Sequence, residues 1–547
     1  MGQGARVGRR GVLAAGAAAL LTPEMSGCSR EAPLRDAVAA AAWIGAGAER
    51  GHRLRGARSG ALPAPAVQRR ADVLVIGAGI AGLAAARALR QGGVEDIALL
   101  ELEDAPGGNS RGHALGGLHC PLGAHYLPVP TEPAREVMDW LHEIGLMQRH
   151  AGRSVPDERH LCHSPQERLF IDGAWHEGLL PPADRASSTH RQYQAFAREV
   201  AAAQRLGFAI PTRRAPWTSD HAALDAQTFA AWLDQRRLTD PQLRWYLDYA
   251  CRDDYGAGTA TVSAWAGLHY FASRHGFHAP GDEAGERDAV FTWPEGNAWL
   301  TERLAAPMHD CLHTGRTVLR LRETRHAAEL LAIDEASGRP EAWTARAALL
   351  CVPLFIAARL LEAPPPALAE ALALQRRAPW LVANLLLAEP LLDRGIGAPP
   401  AWDNVAYGGS TLGYVDAGHQ RLDPRPAPTV ITTYRALTLD QRGELLAGGA
   451  APWARRVVDE LLPLHPDLPH KLQQVALMRY GHAMSVPVPG LRSAAALAAL
   501  ARQGTGRLQF AHADLAGYSV FEEAFTSGDE AGRALALRLR GAAAPAP

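Results

Sequence analysis

The sequence predicts an α/β protein of at least two domains, one of them a Rossmann-like unit and the other α+β. Three observations predict it. A short apolar run, Val73 to Ile76, is followed by Gly77, Gly79 and Gly82 and by an Ala/Leu-rich stretch to Arg90, which reads as strand, glycine turn and helix. A second apolar run, Ile97 to Leu100, ends in Glu101, nineteen positions after Gly82. At 547 residues the chain exceeds one ordinary core, so at least two domains are expected, and helical and strand patterns both follow the first unit.

The glycine spacing is G-x-G-x-x-G, and the three glycines serve different ends. The first allows a tight turn, the second a close approach of backbone to a pyrophosphate, and the third close packing of helix on strand. Ile80 and Ala81 open the helix, whose N-terminus offers unpaired N–H groups and a positive dipole end to phosphate. Glu101 stands where an acid meets a ribose hydroxyl, with Leu102 beside it. The expected unit is a Rossmann-like dinucleotide site.

Composition excludes several classes. The 56 basic and 57 acidic residues give a net charge of −1, which argues against a nucleic-acid partner. Lys471 is the only lysine among the basic residues. The six cysteines, Cys28, Cys120, Cys162, Cys251, Cys311 and Cys351, form no C-x-x-C pair, so no zinc or dithiol motif is indicated, and no metal site is expected. No apolar run reaches the roughly 18–20 residues of a membrane-spanning helix.

Residues 1–28 read as an export signal: Arg9-Arg10, then Gly11 to Leu21, a short and mildly apolar stretch. The arginine pair resembles a twin-arginine signal, with Gly8 and Val12 departing from its usual residues. Met25-Ser-Gly-Cys28 resembles a lipobox, which would make Cys28 a lipid anchor. A periplasmic or cell-envelope location follows as the expectation. Residues 29–70, Ala-rich at 37–42 and then rich in Gly, Arg and Pro, read as a linker.

After Glu101 the chain runs Leu-Glu-Asp-Ala-Pro-Gly107-Gly108-Asn109-Ser-Arg111. Here it resembles the flavin-containing amine oxidase superfamily, which includes monoamine and polyamine oxidases, phytoene desaturases and protoporphyrinogen oxidase. In that family a Gly-Gly-Arg-like turn lies against the FAD pyrophosphate. Asn109 occupies the usual arginine position and Arg111 follows two residues later. Gly123-Ala124-His125-Tyr126 resembles the family's segment approaching the isoalloxazine, and Phe291 to Leu300 its Pro-x-Gly-Gly segment, with Asn297 for a glycine. Val318, in the run Thr314 to Leu321, matches the position whose backbone meets the adenine, and Ala345 to Pro353 the strand that returns to the cofactor domain. Leu508 to Gly528 resembles the closing strand, ribitol-binding acid and flavin-directed helix, with Asp514 as the acid. Ser519-Val520-Phe521-Glu522 reads as a capping box marking that helix start, and the Phe521 N–H as the flavin contact.

The resemblance therefore implies FAD, a cofactor domain of residues 71–130, 286–360 and 500–541, and a substrate domain of residues 131–285 and 361–499. Within the second, Leu169 to Trp175 reads as a hairpin with Asp172-Gly173 at its turn. The cluster Trp245 to Tyr249, Arg252-Asp-Asp-Tyr255 and Trp265 to Phe271 reads either as a helical core or as a pocket for a cationic or elongated substrate. Trp380 to Leu387, Trp402 to Val405, Leu412 to Val415 and Val430 to Tyr434 read as strands of its sheet. Tyr126, Asn384, His482 and Tyr518 are the candidate catalytic residues. Asn384 falls where amine oxidases commonly place a lysine, and Val520 where they place an aromatic. A small-molecule donor is expected, with an amine or polyamine favoured over an apolar polyene or ring, or over a flavin-binding scaffold without turnover.

Overall fold

The computed structural model describes residues 32–541, apart from 46, 58–61, 281–288, 422–424 and 503–505. Arg9-Arg10 and Cys28 lie outside the described residues.

The first sheet has five parallel strands in the order Leu312–His313, Ile97–Leu100, Val73–Ile76, Ala347–Leu350 and Leu508–Phe510. Its strands come from three distant stretches of chain. All four residues of each of Val73–Ile76, Ile97–Leu100 and Ala347–Leu350 are buried, the pattern of a parallel sheet covered on both faces. On one face, helix Ile80–Gln91 packs against the last helix, Phe521–Gly541. A Cβ on Gly528 would lie 2.0 Å from the Ala81 carbonyl oxygen, and one on Gly532 would lie 2.5 Å from that of Ala85. Glycine at these two positions lets the helices touch backbone to backbone. A three-stranded meander, Arg316–Glu323, Ala328–Asp334 and Arg339–Ala345, is joined by Val67–Arg70 and covers the other face.

The second sheet has eight strands and is mixed. Its centre is Leu472–Val486 against Arg376–Leu387, followed by Thr429–Ala436, Tyr414–Asp416, Asp403–Ala406 and the hairpin Glu167–Ile171/Ala174–Glu177. The hairpin turns at Asp172 and Gly173, both at positive φ, as the two-residue turn requires. Five helices between Ser188 and Ala272 pack beside this sheet. Tyr193, Phe196, Phe229, Tyr255, Trp265 and Phe271 form their core.

The stretch expected to be a linker is instead built into the fold. Helix Ala32–Ala39 buries Leu34, Ala37 and Val38 against Leu381, Ala383 and Trp453. Those three residues fall at i, i+3 and i+4, one apolar stripe of a helix. Ala42–Trp43 then pairs in parallel with Ala476–Leu477, and helix Ala48–Ala57 reaches the first sheet, where Leu54 joins its core.

Candidate active site

A continuous cavity of about 450 Å³ runs between the two sheets. That volume lies within the range of small-molecule and cofactor sites. One end is made by two glycine turns. Gly77, at φ +95°, has no room for a side chain, since a Cβ would lie 2.7 Å from the Cys351 carbonyl oxygen. Gly79 bridges to Gly107, and the Gly107 N–H donates to the Ala78 carbonyl at 2.8 Å. The second turn is thus fixed against the first, and Gly108 comes close to Gly79. Gly79 caps the helix without a side-chain bond, so the first N–H groups, at Ile80 and Ala81, remain available to an anion. This cradle fits a dinucleotide pyrophosphate.

Glu101 lines the same end but is already committed in part. Its carboxylate accepts the Ala78 N–H at 2.7 Å and the Glu103 N–H at 3.0 Å. Burial pushes its pKa up, against the lowering effect of those two bonds. Leu102, Asn109 and Val318 line the cavity nearby, as do Gly51 and Leu54 from the stretch expected to be a linker.

Gly123, Ala124, His125 and Tyr126 also line the cavity, as do Ser519, Val520 and Phe521 at the start of the last helix. Ser519 does not form the expected capping box. Its hydroxyl accepts the Ser485 N–H at 3.1 Å, and Glu522 lines the cavity, its carboxyl pushed up to about 7 by burial.

The far end is aromatic and acidic. The Tyr126 hydroxyl donates to Asp253 Oδ2 at 3.3 Å. His125 stacks on Tyr434 with ring centroids 4.2 Å apart, and burial holds its imidazole neutral, with a pKa of about 3. The Tyr434 hydroxyl is buried without a partner. Asp254 pairs with Arg274 at 3.1 Å, which leaves Asp253 as an acid with no cationic partner among the described residues. Burial and the neighbouring Asp254 raise the Asp253 carboxyl to about 7. Trp380 also lines this end.

Five sequence candidates do not face the cavity. Gly82 serves helix packing alone, as a Cβ there would sit 1.8 Å from the Gly77 carbonyl oxygen. Arg111 turns away, donating to the carbonyls of Gly108 at 3.1 Å and Gly45 at 2.6 Å. Asp514 is fully buried beneath the cavity floor, where it accepts the Leu354 N–H at 2.9 Å and contacts Arg377. Its neighbours His512 and Ala513 line the cavity instead. Tyr518 is fully buried in the helical layer, its hydroxyl donating to Glu523 at 3.1 Å. Asn384 donates to the Pro121 carbonyl at 3.0 Å and accepts from Thr432 at 2.7 Å, a structural bond inside the sheet. Of the four catalytic candidates, Tyr126 and His482 line the cavity.

Asp253, Trp380, Arg377, Tyr434 and Glu522 were not among the sequence candidates. Asp253 had a signal, since it lies in the aromatic and acidic cluster; Tyr249, Tyr255 and Trp265 of that cluster are core, whereas Asp253 and Asp254 face the cavity. No group of three or more metal-ligating side chains is assembled among the described residues, and no helix among them is long and apolar enough to cross a membrane.

Comparison with known proteins fits this geometry. Residues 75–144 match the NAD(P)-binding Rossmann-like domain. No curated protein matches the chain. Among solved structures, putrescine oxidase bound to putrescine is similar over 87% of this chain and 100% of its own, at 15% identity and a TM-score of 0.64. Cyclohexylamine oxidase from Brevibacterium oxydans is similar over 86% and 99%, at 18% identity and a TM-score of 0.64. The fatty acid isomerase of P. acnes that produces CLA is similar over 84% and 97%, at 16% identity and a TM-score of 0.58. The chain has the fold of the flavin amine oxidases.

Proposed function

We propose that this chain is an exported FAD-dependent oxidoreductase of the flavin amine oxidase superfamily, oxidising a small amine or polyamine. The observation that carries the reading is one continuous cavity: paired glycine turns at one end, and at the other an aromatic pocket holding Asp253, an acid with no cationic partner among the described residues.

The residues present fit FAD. The N–H groups of Ile80 and Ala81, with Gly107 and Gly108, would hold the pyrophosphate; Glu101 would take the ribose, Val318 the adenine edge, and the Phe521 N–H the flavin pyrimidine. Bound there, FAD supplies a ring that accepts hydride, and a helix start at Phe521 favours the negative charge of its reduced form. Asp253, ionised, attracts an ammonium group, and the faces of Tyr126 and Tyr434 favour the same charge. Its raised carboxyl also suits it to take the proton an ammonium must lose before oxidation. Heating the purified protein should release one FAD per chain; release of FMN, or of no flavin, would contradict the cofactor assignment.

The similarity to cyclohexylamine oxidase and to putrescine oxidase supports an amine. A second reading, desaturation or isomerisation of an apolar polyene or ring, is supported by Trp380 and Tyr434 in the cavity wall and by the likeness to a fatty acid isomerase. A flavin-binding scaffold without turnover is the third reading.

Export rests on Arg9-Arg10 and the apolar stretch behind it, with Cys28 placed for lipid attachment and a cell-envelope location. Changing Arg9→Lys and Arg10→Lys together is expected to keep the protein in the cytoplasm, measured by fractionation. A variant that still reaches the periplasm would contradict the twin-arginine reading.

A further inference from the structure

We propose that Arg377, on the strand Arg376–Leu387 of the second sheet, supplies the positive charge for the cofactor's pyrophosphate that the glycine turns of this chain do not. The inference rests on the FAD reading above and adds a residue from outside the cofactor sheet to it.

The turns present no cationic side chain to the cavity. Asn109 carries no charge, and its side-chain amide donates to the Ala483 carbonyl at 2.8 Å. Arg111 is held by two backbone carbonyls and lies 3.8 Å from Glu103. Two other arginines that line the cavity are also committed. Arg274 pairs with Asp254, and Arg316 pairs with Asp334 at 3.1 Å and with Glu341 at 3.4 Å.

Arg377 differs. It lines the cavity at 6% exposure, and its Nε has no hydrogen-bond partner. Its one acidic contact, Asp514, is shared with the Leu354 N–H and with His512. A buried guanidinium donor without a partner is costly, and an anionic ligand relieves that cost. The second glycine turn reaches the same part of the cavity: Asn109 bonds Ala483, while Ser485, two residues along the same strand, is the register partner of Arg377.

Apart from Asp514, the charged groups nearest Arg377 are themselves positive. The Arg442 guanidinium donates to the backbone carbonyls of Gly481 and Arg377, and Arg359 has no carboxylate partner among the described residues. Phe355 lies under the Arg377 guanidinium at 4.9 Å and against the His482 ring at 4.9 Å. His482, which lines the cavity, is lowered to about 4 by burial and by the positive charges of Arg442, Arg377, Arg359 and Arg55. Arg377 is therefore the arginine on this wall, with Arg442 bonded behind it and Asp514 its one acidic contact among the described residues. A diphosphate is the kind of ligand that completes such a wall, because guanidinium binds its oxygens in pairs.

The test titrates the full-length chain with FAD, with ADP-ribose, which carries the diphosphate alone, and with riboflavin, which lacks it. Arg377→Met is expected to weaken FAD and ADP-ribose about tenfold or more, the size of one lost charge-assisted bond, while riboflavin is unchanged. Arg377→Lys should restore part of the loss. Arg359→Glu, at an exposed position, should weaken the same two ligands less, and added salt should narrow the difference. Equal weakening of all three ligands by Arg377→Met, or unchanged FAD and ADP-ribose binding in both Arg377→Met and Arg359→Glu, would overturn the proposal. A wild-type chain that takes up no FAD would overturn the functional reading as well, and the two failures are distinguished by that control.

Discussion

Replacing Glu101 by Ala is expected to yield a purified protein without FAD. The carboxylate holds two loops together before any ligand arrives: it accepts the N–H of Ala78, between the first two glycines, and that of Glu103. The residue is 7% exposed, so its removal leaves a buried donor at Ala78 and a part-buried one at Glu103 unpaired, the buried one at a cost of about 1–3 kcal/mol. The proposed ribose contact is lost as well. Together these correspond to an affinity loss of roughly 100-fold or more. Glu101→Gln, which keeps an acceptor oxygen, should retain more cofactor than Glu101→Ala. Flavin absorbance per chain after gel filtration measures it, and an Ala variant as yellow as the wild type would remove Glu101 from the cofactor site.

Replacing Asp253 by Asn is expected to lower kcat/KM for amines by about 100-fold or more, the range found when a buried charge loses its partner. Asn keeps the shape and can still bond the Tyr126 hydroxyl, so the loss reports the charge. The sign of the pH dependence is fixed by the raised carboxyl, which titrates at about 7. Below that value Asp253 is neutral and attracts no ammonium; above it the carboxylate is present. The wild-type kcat/KM for amines should therefore rise as pH passes through about 7, and the rise should vanish in Asp253→Asn. Stability moves the other way. A carboxyl raised in the folded state contributes stability that is complete below its unfolded value of 3.8 and is lost as pH rises to about 7. The Asn variant should accordingly melt above the wild type at pH values beyond that window. An Asn variant with unchanged amine kinetics would contradict the assigned role.

How much of this was legible in the sequence depended on how local the physics was. Gly77, Gly79 and Glu101 lie within one strand–turn–helix–strand unit, and their places follow from spacing alone. Asn384 shows where the family resemblance does not carry over. It shares a strand face with Trp380 but stands four residues further along, roughly 13 Å at strand rise, beyond the cavity and under Pro121. Asp514 fails for a related reason. The strand ends at Phe510, and the turn Ala513–Ala516 that follows is a 3-10 turn, so side-chain alternation does not carry across it and Ala513, not Asp514, lines the cavity. The linker expectation fails because the apolar stripe there is only two helical turns long and becomes meaningful against partners some 350 or more residues later. Asp253 and Tyr126 meet across 127 positions, a contact that tertiary packing alone creates.

If one cavity holds FAD against a cation-binding pocket, an amine reduces the cofactor directly. The most direct measurement is anaerobic mixing of the FAD-loaded protein with a panel of mono-, di- and polyamines beside polyenoic fatty acids, following the flavin's visible absorbance. Loss of that absorbance within seconds to minutes of adding an amine, and not after an apolar acid, is the predicted result. A flavin that stays oxidised with every amine would contradict it.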